Sequence, residues 1–212
     1  MKAETAQIFE ELFARHTALE VCRADVAAAF DALLATFRTG GKLLVCGNGG
    51  SAADAEHIVG ELMKSFKRRR PVPERIAAAL EAQGADGAAL VAKLEGALPA
   101  VSLVSMSGVI TAFANDVAWE TAFAQQVLGL AREGDVLLAI STSGDSANCV
   151  AAVRVAHAAG ARAVAFTGMR ESRLSGLCDV TVRVPETETY KVQESHLPLY
   201  HALCAMLEAE IF

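Results

Sequence analysis

The sequence predicts an α/β fold in which a mainly parallel β-sheet carries helices on both faces. Short apolar runs alternate along the chain with longer segments of helical periodicity, and this alternation is typical of helix-covered parallel sheets. The runs at 43–46 and 135–140 are almost wholly apolar, as strands buried on both faces are. Because 212 residues, 53% of them hydrophobic, suffice for one full core, we expect residues 1–212 to form a single domain.

Composition and charge exclude several classes of protein. No apolar run reaches the roughly 20 residues that a membrane-spanning helix needs. The N-terminal segment MKAETAQIFEELFARH has an acidic helical pattern, not that of a secretory signal. A net charge of −6 argues against nucleic acid as a partner. Five cysteines without a CxxC pair predict free thiols in a reducing cytoplasm.

The first half of the chain begins with a long helix. Apolar residues recur at helical spacing over residues 4–38, and the Arg-Thr-Gly-Gly turn at 38–41 ends this helix. The strand 43–46 then enters the glycine-rich turn 47–50. Ser51 is predicted to cap the next helix, which runs to about Phe66.

An alanine-rich insertion precedes the second half. Residues 73–97 predict two helical pieces split at Gly84–Gly87, either an inserted surface hairpin or an oligomer contact. The remaining segments alternate between strand and helix. They comprise strands at 100–105, 135–140, 162–167 and 179–183, and helices from the 141–146 loop to about 159 and from about 190 to 210.

The loop after the 135–140 strand has the composition of an anion site. Four hydroxyl residues fall within six positions at a helix N-terminus: Ser141, Thr142, Ser143 and Ser146. Hydroxyls, free backbone N–H groups and the helix dipole together suit a phosphate. The alternative is that these residues serve only as helix caps.

The first loop fits a second interpretation. Residues 47–52 match the G-x-G-x-x-A fingerprint of dinucleotide-binding proteins. That fingerprint requires a second strand ending in an acidic residue about 20 residues on. Here this region holds Arg68, Arg69 and Arg70 and no convincing strand, so a sugar phosphate is the favoured ligand.

Two helices carry residues suited to a metal or to acid–base chemistry. His57 and Glu61 are four residues apart and share one helix face. The last helix adds Gln193, Glu194, His196 and His201, and this mixture of donors suits a divalent ion such as zinc. Alternatively, the His57–Glu61 pair is a surface contact and His196 or His201 packs against the core. We interpret Asp54 and Asp145 as helix caps or first-turn charges.

Four segments resemble the phosphoheptose isomerases of the sugar-isomerase (SIS) domain superfamily. They are CGNGGSAADAEHIVGEL at 46–62, Asn115-Asp116, AISTSGDSAN at 139–148 and VQESHLPLYH at 192–201. They stand in the family's order and, together, span most of the chain outside 67–100.

The resemblance implies a flavodoxin-like, doubly wound SIS domain with a long N-terminal helix, usually a homotetramer with active sites shared between subunits. It implies one Zn²⁺ per site and conversion of sedoheptulose 7-phosphate to D-glycero-D-manno-heptose 7-phosphate, a step toward heptose for lipopolysaccharide. Glu61 and His201 would be the acid–base residues. The metal ligands would be His57, Glu61, Gln193 and His201. The substrate contacts would be Asn48, Gly49, Gly50, Ser51, Asn115, Asp116, Ser141, Thr142, Ser143, Ser146 and Gln193.

Three features depart from the family pattern. Tyr190 replaces the usual acidic residue ahead of the glutamine, no arginine stands at the family's usual place after Ser65, and the 73–97 insertion is long. Because of these departures, another phosphosugar remains an alternative substrate. A non-catalytic SIS interaction module, of the replication-initiator-associating type, is a further alternative, although retention of His57, Glu61, Gln193 and His201 favours an enzyme.

The spacing of Gln193 and His201 predicts an irregular final helix. Eight residues span about 12 Å of straight helix, too far for two ligands of one metal. Pro198 lies between them and lacks a backbone N–H. We therefore predict an irregular helix start near 190–195, or ligands drawn from different subunits.

Overall fold

The computed structural model describes all 212 residues and contains one five-stranded sheet. The strands are β1 (Leu43–Gly47), β2 (Ala100–Ser102), β3 (Val136–Ile140), β4 (Arg162–Thr167) and β5 (Val180–Arg183). The helices are α1 (Ala3–Arg15), α2 (Arg23–Arg38), α3 (Gly50–Met63), α4 (Glu74–Glu81), α5 (Ala85–Val91), α6 (Ser107–Asp116), α7 (Ala122–Leu130), α8 (Ala147–Ala158) and α9 (Thr189–Ile211). No helix combines the length and the apolar character needed to cross a bilayer.

The sheet confirms the predicted parallel, flavodoxin-like arrangement. All four strand pairings are parallel, and the strand order is β2-β1-β3-β4-β5. The order reverses between β1 and β3, where Gly47 is in register with Ile140. Ligands of doubly wound sheets bind beyond the carboxyl ends of the strands at this reversal. Both candidate ligand loops leave the sheet there.

Alternate side chains of the central strands supply two separate cores. Val45 and Ile140 belong to a cluster of 33 buried residues that α1, α2, α3 and α9 complete on one face. Cys46 and Ala139 point to the other face, into a cluster of 17 buried residues beneath α7 and α8. The sheet is therefore covered on both sides, as the apolar strands predicted.

The predicted single helix over 4–38 is wrong, because the chain turns a corner near His16. A 3₁₀ turn over Thr17–Cys22 separates α1, which packs against α9, from α2, which packs against β5 and α9. Arg23 fixes the corner: its guanidinium is 2.9 Å from Glu10 and lies 4.2 Å from the centre of the Phe13 ring. Two different packing partners override a continuous helical pattern.

Two element ends differ from prediction, and one has a clear cause. Helix α3 ends at Met63 and not near Phe66, since the Arg70 guanidinium donates to the carbonyls of Glu61 and Leu62 in its last turn. The strand predicted over 100–105 ends at Ser102.

The insertion forms the two predicted helices, α4 and α5, which contact chiefly each other. Gly84 between them has φ +90.

The predicted irregular start of the final helix is also wrong. Helix α9 is continuous over 23 residues and includes Pro198. Proline removes one backbone hydrogen bond, to the carbonyl four residues earlier. That residue is Glu194, on the exposed side of the helix, where water can replace the missing donor. Gln193 and His201 consequently lie about 12 Å apart along one helix.

Candidate functional site

The glycine-rich loop brings β1 directly into α3. A Cβ on Gly47 would lie 2.5 Å from the Ser51 carbonyl oxygen, so only glycine fits there. Gly49 has φ +57 and occupies the position before the helix. Ser51 does not cap α3 as predicted: it is buried in the first turn, and no side-chain hydrogen bond caps this helix.

A reciprocal amide pair joins the two loops. The Asn48 side-chain amide donates to Asn148 Oδ1 at 2.9 Å, and the Asn148 amide donates back to Asn48 Oδ1 at 2.8 Å. Asn148 is buried in the first turn of α8. The glycine loop and the serine loop therefore hold a fixed spacing, as one ligand spanning both would require.

The serine loop gathers its hydroxyls at the N-terminus of α8. Ser141 Oγ lies 2.9 Å from Ser146 Oγ and 3.4 Å from Ser143 Oγ. Thr142 and Ser143 also line a cavity of about 170 Å³ that Arg170 borders. Neutral donors and a helix N-terminus suit a phosphate. The same cavity is lined by three carboxylates, Asp145, Glu171 and Glu186, beside the one guanidinium.

A cluster of two imidazoles and a carboxylate lies where α3 contacts α9. His57 Nε2 is 3.2 Å from Glu61 Oε1 and 3.4 Å from His201 Nε2. Lys64 Nζ lies 3.0 Å from the other oxygen of Glu61. Burial, and then the neighbouring His57, lower the pKa of His201. A neutral imidazole beside a carboxylate is equipped to accept and return a proton.

The cluster fits a zinc site in its chemistry and only partly in its arrangement. Tetrahedral ligands with bonds of about 2.0–2.1 Å are separated by about 3.3 Å. The two distances that join His57 to Glu61 and to His201, 3.2 and 3.4 Å, agree with that separation. Yet no three His, Cys, Asp or Glu side chains surround a common point that could hold a metal ion. A bound ion therefore requires side-chain adjustment.

Gln193 lies apart from this cluster. Its amide packs at the start of α3, where a Cβ on Gly50 would be 2.5 Å from Gln193 Nε2. His57 follows Gly50 by seven residues, about 10 Å along the helix. The structure therefore places Gln193 beside the glycine loop and His201 beside His57.

His196 packs in the core, one of the alternatives the sequence left open. It is fully buried, its Nε2 is 3.4 Å from the Thr167 carbonyl oxygen, and its Nδ1 has no partner. Burial lowers its pKa to about 4. It therefore stays neutral and does not face the cluster.

Two residues beside His57 were missed as site residues. The Tyr200 hydroxyl lies 2.9 Å from His57 Nδ1 and donates to Asp54 Oδ1 at 3.3 Å. Asp54 faces this hydroxyl and is not a helix cap, while Asp145 accepts from the backbone N–H of Arg173. Asp54 and His57 are three residues apart, so their side chains lie on one helix face. This spacing was the available signal.

The arginine run does not form a nucleotide-phosphate site. Arg70 is fully buried and pairs with Glu208, 2.8 Å away. Arg68 pairs with Glu4. No strand lies between α3 and these residues, so the dinucleotide interpretation of the glycine loop is wrong.

Asn115 and Asp116 stand apart from both loops within this chain. They lie exposed at the end of α6, where the Asn115 amide donates to Asp116 at 2.9 Å. Neither side chain has a hydrogen bond to the glycine or serine loop. Tyr190 is likewise exposed, at the start of α9.

The sequence and the fold match known proteins along the whole chain. Two SIS domain family models match residues 9–101 and 106–209. A phosphoheptose isomerase of Burkholderia pseudomallei is 41% identical over 89% of this chain and 83% of its own length. The solved structure of phosphoheptose isomerase GmhA from Neisseria gonorrhoeae is 33% identical with a TM-score of 0.71, covering 95% of this chain and 96% of that one. That of a phosphoheptose isomerase from Francisella tularensis is 30% identical with a TM-score of 0.76, covering 99% and 100%.

These matches first define the class: the chain is an α/β protein with an SIS domain. Its sequence identity to relatives, which extends over most of this chain and most of theirs, then shows the family. The chain belongs to the phosphoheptose isomerases, and it is an isomerase. A non-catalytic interaction module is thereby set aside.

Proposed function

We propose that this isomerase converts sedoheptulose 7-phosphate to D-glycero-D-manno-heptose 7-phosphate through an enediol. The observation that carries the proposal is the cluster of His57, Glu61 and His201, in which His57 lies about 10 Å along α3 from the glycine loop. The names of the relatives support a heptose phosphate as substrate. The product would serve the synthesis of heptose for lipopolysaccharide.

The reaction moves one proton between C1 and C2 of the sugar. One group must take the proton from carbon and another must handle the hydroxyl proton. Glu61, whose side chain is 14% exposed, and the neutral His201 are suited to these two tasks. The serine loop would hold the phosphate through Ser141, Thr142, Ser143 and Ser146, and Asn48, Gly49, Gly50, Ser51 and Gln193 would border the sugar.

Zinc is the metal that we propose for this site. His57, Glu61 and His201 would hold it. Because Gln193 lies about 12 Å from His201 along α9, a fourth ligand of this type would be the Gln193 of a neighbouring subunit. A bound Zn²⁺ supplies a positive charge that polarises the carbonyl and stabilises the enediolate oxygen. Imidazole and carboxylate donors suit this ion.

The proposed assembly is a homotetramer with active sites between subunits. Support comes from the segment that carries Asn115 and Asp116, which leaves Val109, Val117 and Trp119 exposed. An apolar patch beside two predicted substrate contacts would be covered if a neighbouring subunit completed the site. Five free cysteines are consistent with the proposed cytoplasmic location.

The experiment follows isomerisation of sedoheptulose 7-phosphate with and without chelator and added zinc, in wild type and Glu61→Gln. Zinc-dependent turnover that falls at least 10²-fold in Glu61→Gln would support the proposal. Substrate binding without turnover under any metal would contradict it. A panel of shorter phosphosugars tests the second candidate, another substrate, which Tyr190 and the 73–97 insertion favour.

A further inference from the structure

We propose that Asn148 is a positioning residue, which holds the glycine loop at a fixed distance from the serine loop through the side chain of Asn48. Asn48 then serves the site as the partner of Asn148 and not as a side-chain ligand of the sugar. The inference deepens the proposed function and rests on it, since a phosphosugar that spans both loops requires them at a set spacing.

The orientation of both side-chain amides follows from one backbone group. The Cys149 N–H donates to Asn148 Oδ1 at 3.0 Å, and because a backbone N–H can only donate, the accepting atom is the amide oxygen. The remaining terminal atom of Asn148, Nδ2, donates to Asn48 Oδ1 at 2.8 Å. Asn48 Nδ2 returns a hydrogen bond to Asn148 Oδ1 at 2.9 Å. Each asparagine is therefore both a donor and an acceptor for the other.

These hydrogen bonds leave the Asn48 side chain little capacity for a ligand. Its Nδ2 has two acceptors in α8, Asn148 Oδ1 and the buried Cys149 Sγ at 3.9 Å. Its Oδ1 accepts from Asn148 and retains one free lone pair. Asn148 is 3% exposed, and its Oδ1 already accepts two hydrogen bonds, the full number for a carbonyl oxygen. The Asn48 amide therefore faces α8, and contacts to a sugar are left to the backbone of the glycine loop.

The side chain of Asn48 makes the only hydrogen bonds that link the glycine loop to the serine loop or to the first turn of α8. Strands β1 and β3 stay in register up to Gly47 and Ile140, but no backbone hydrogen bond joins residues 48–51 to residues 141–146. Gly49 is exposed at φ +57, a conformation open to glycine, so the backbone of this loop does not fix its own position. Loss of either asparagine removes both bonds and leaves the partner amide unpaired. The spacing of the loops therefore depends on the pair.

The test compares two ligands by calorimetric titration of metal-free protein, in which no turnover interferes. Sedoheptulose 7-phosphate reaches both loops in the proposed function, whereas inorganic phosphate occupies the serine loop alone. We expect Asn148→Ala to raise the Kd of the sugar phosphate about 10-fold, the effect of one hydrogen bond whose partner is left unpaired, and to change that of inorganic phosphate less than 2-fold. The control is Val153→Ala, which removes a buried side chain from the same helix and should lower the melting temperature without changing either Kd. Asn148→Ser, whose hydroxyl is too short to reach Asn48, serves if Asn148→Ala does not fold.

A double-mutant cycle on the same Kd separates positioning from direct contact. If the two asparagines act only through each other, Asn48→Ala, Asn148→Ala and the double variant should all weaken sugar-phosphate binding about 10-fold. If Asn48 contacts the sugar independently, the losses should multiply to about 100-fold. A multiplied loss, an unchanged Kd in Asn148→Ala, or an equal loss for inorganic phosphate would each overturn the inference and leave the proposed function intact. A wild type that binds no sugar phosphate would contradict the proposed function, and the inference with it.

Discussion

His196 shows how one buried side chain sets a pH dependence. Burial lowers its pKa from 6.5 to about 4, so the unfolded chain binds this proton more readily than the folded one. The contribution of His196 to the free energy of unfolding is therefore complete above pH 6.5 and is lost as the pH drops toward 4. At about 1.4 kcal/mol per pKa unit, the loss is about 3 kcal/mol.

His196→Leu removes this proton and should flatten that part of the stability profile. Urea unfolding between pH 4 and 7 gives the free energy of unfolding of each variant, and His16→Gln serves as the control. The neighbours of His196 are the Phe166 ring and the Thr167 carbonyl, neither of which titrates in this range. An unchanged slope in His196→Leu would assign the acid sensitivity to other groups.

Gly47 and Gly60 offer a matched pair of alanine substitutions. A Cβ on Gly47 would meet the Ser51 backbone at 2.5 Å, whereas one on Gly60, within α3, meets nothing within 4 Å. We expect Gly60→Ala to stabilise the protein by about 0.5–1 kcal/mol through helix propensity. Gly47→Ala should destabilise it by about 1–3 kcal/mol and weaken phosphosugar binding. Thermal unfolding and calorimetric titration measure the two effects, and equal melting temperatures would refute the steric argument.

At the scale of elements, one buried ion pair joins the end of α3 to α9. Glu208 accepts from the backbone N–H groups of Phe66 and Lys67 and from the Arg70 side chain. Burial acts to raise the pKa of Glu208, but these bonds hold it below its ordinary value. The turn that carries Glu61 is thus fixed from the end of the final helix.

Removal of Arg70 should therefore be costly. Arg70→Met leaves the Glu208 carboxylate buried without its charge partner, and such losses typically cost about 3–5 kcal/mol. Arg69→Met is the control, because the Arg69 side chain is exposed and donates only to the Ala92 carbonyl. The stability that Glu208 contributes is complete above the ordinary pKa of 4.5 and is lost as the pH falls through its lower folded-state pKa, so the difference between Arg70→Met and wild type should shrink in acid. Chemical denaturation at pH 7 and pH 4 checks both statements, and a loss in Arg69→Met as large as that in Arg70→Met would refute them.

How far the sequence predicts the structure depends on the range of the interaction involved. The strands follow from local apolar runs, and the serine loop follows from its own composition, so both are predictable. The break near His16 depends on the surfaces against which α1 and α2 pack, which are distant in sequence. The helix continues through Pro198 because the Glu194 carbonyl is on its exposed side. Tyr200 meets Asp54 across 146 positions of chain, a contact that no local pattern reveals.

At the scale of the whole molecule, the α4–α5 hairpin is an addition to a complete fold. Its two helices contact chiefly each other, and Leu90 and Leu94 remain exposed. The chain enters and leaves the hairpin at nearly the same place, since the Gly96 N–H donates to the Arg70 carbonyl at 3.1 Å. A short turn can therefore replace the hairpin without moving the strands.

Replacement of residues 73–94 by a short glycine–serine turn should leave the melting temperature within a few degrees of wild type, because neither core loses a side chain. Glu95 is kept in this variant, since it accepts from the Ser65 backbone N–H at 2.9 Å. Light scattering then separates the two interpretations of the insertion. An unchanged number of subunits would identify a surface hairpin, whereas a smaller number would identify an oligomer contact through Leu90 and Leu94. Loss of cooperative unfolding would contradict the independence of the hairpin, because it would mean that the sheet depends on contacts the two helices make beyond each other.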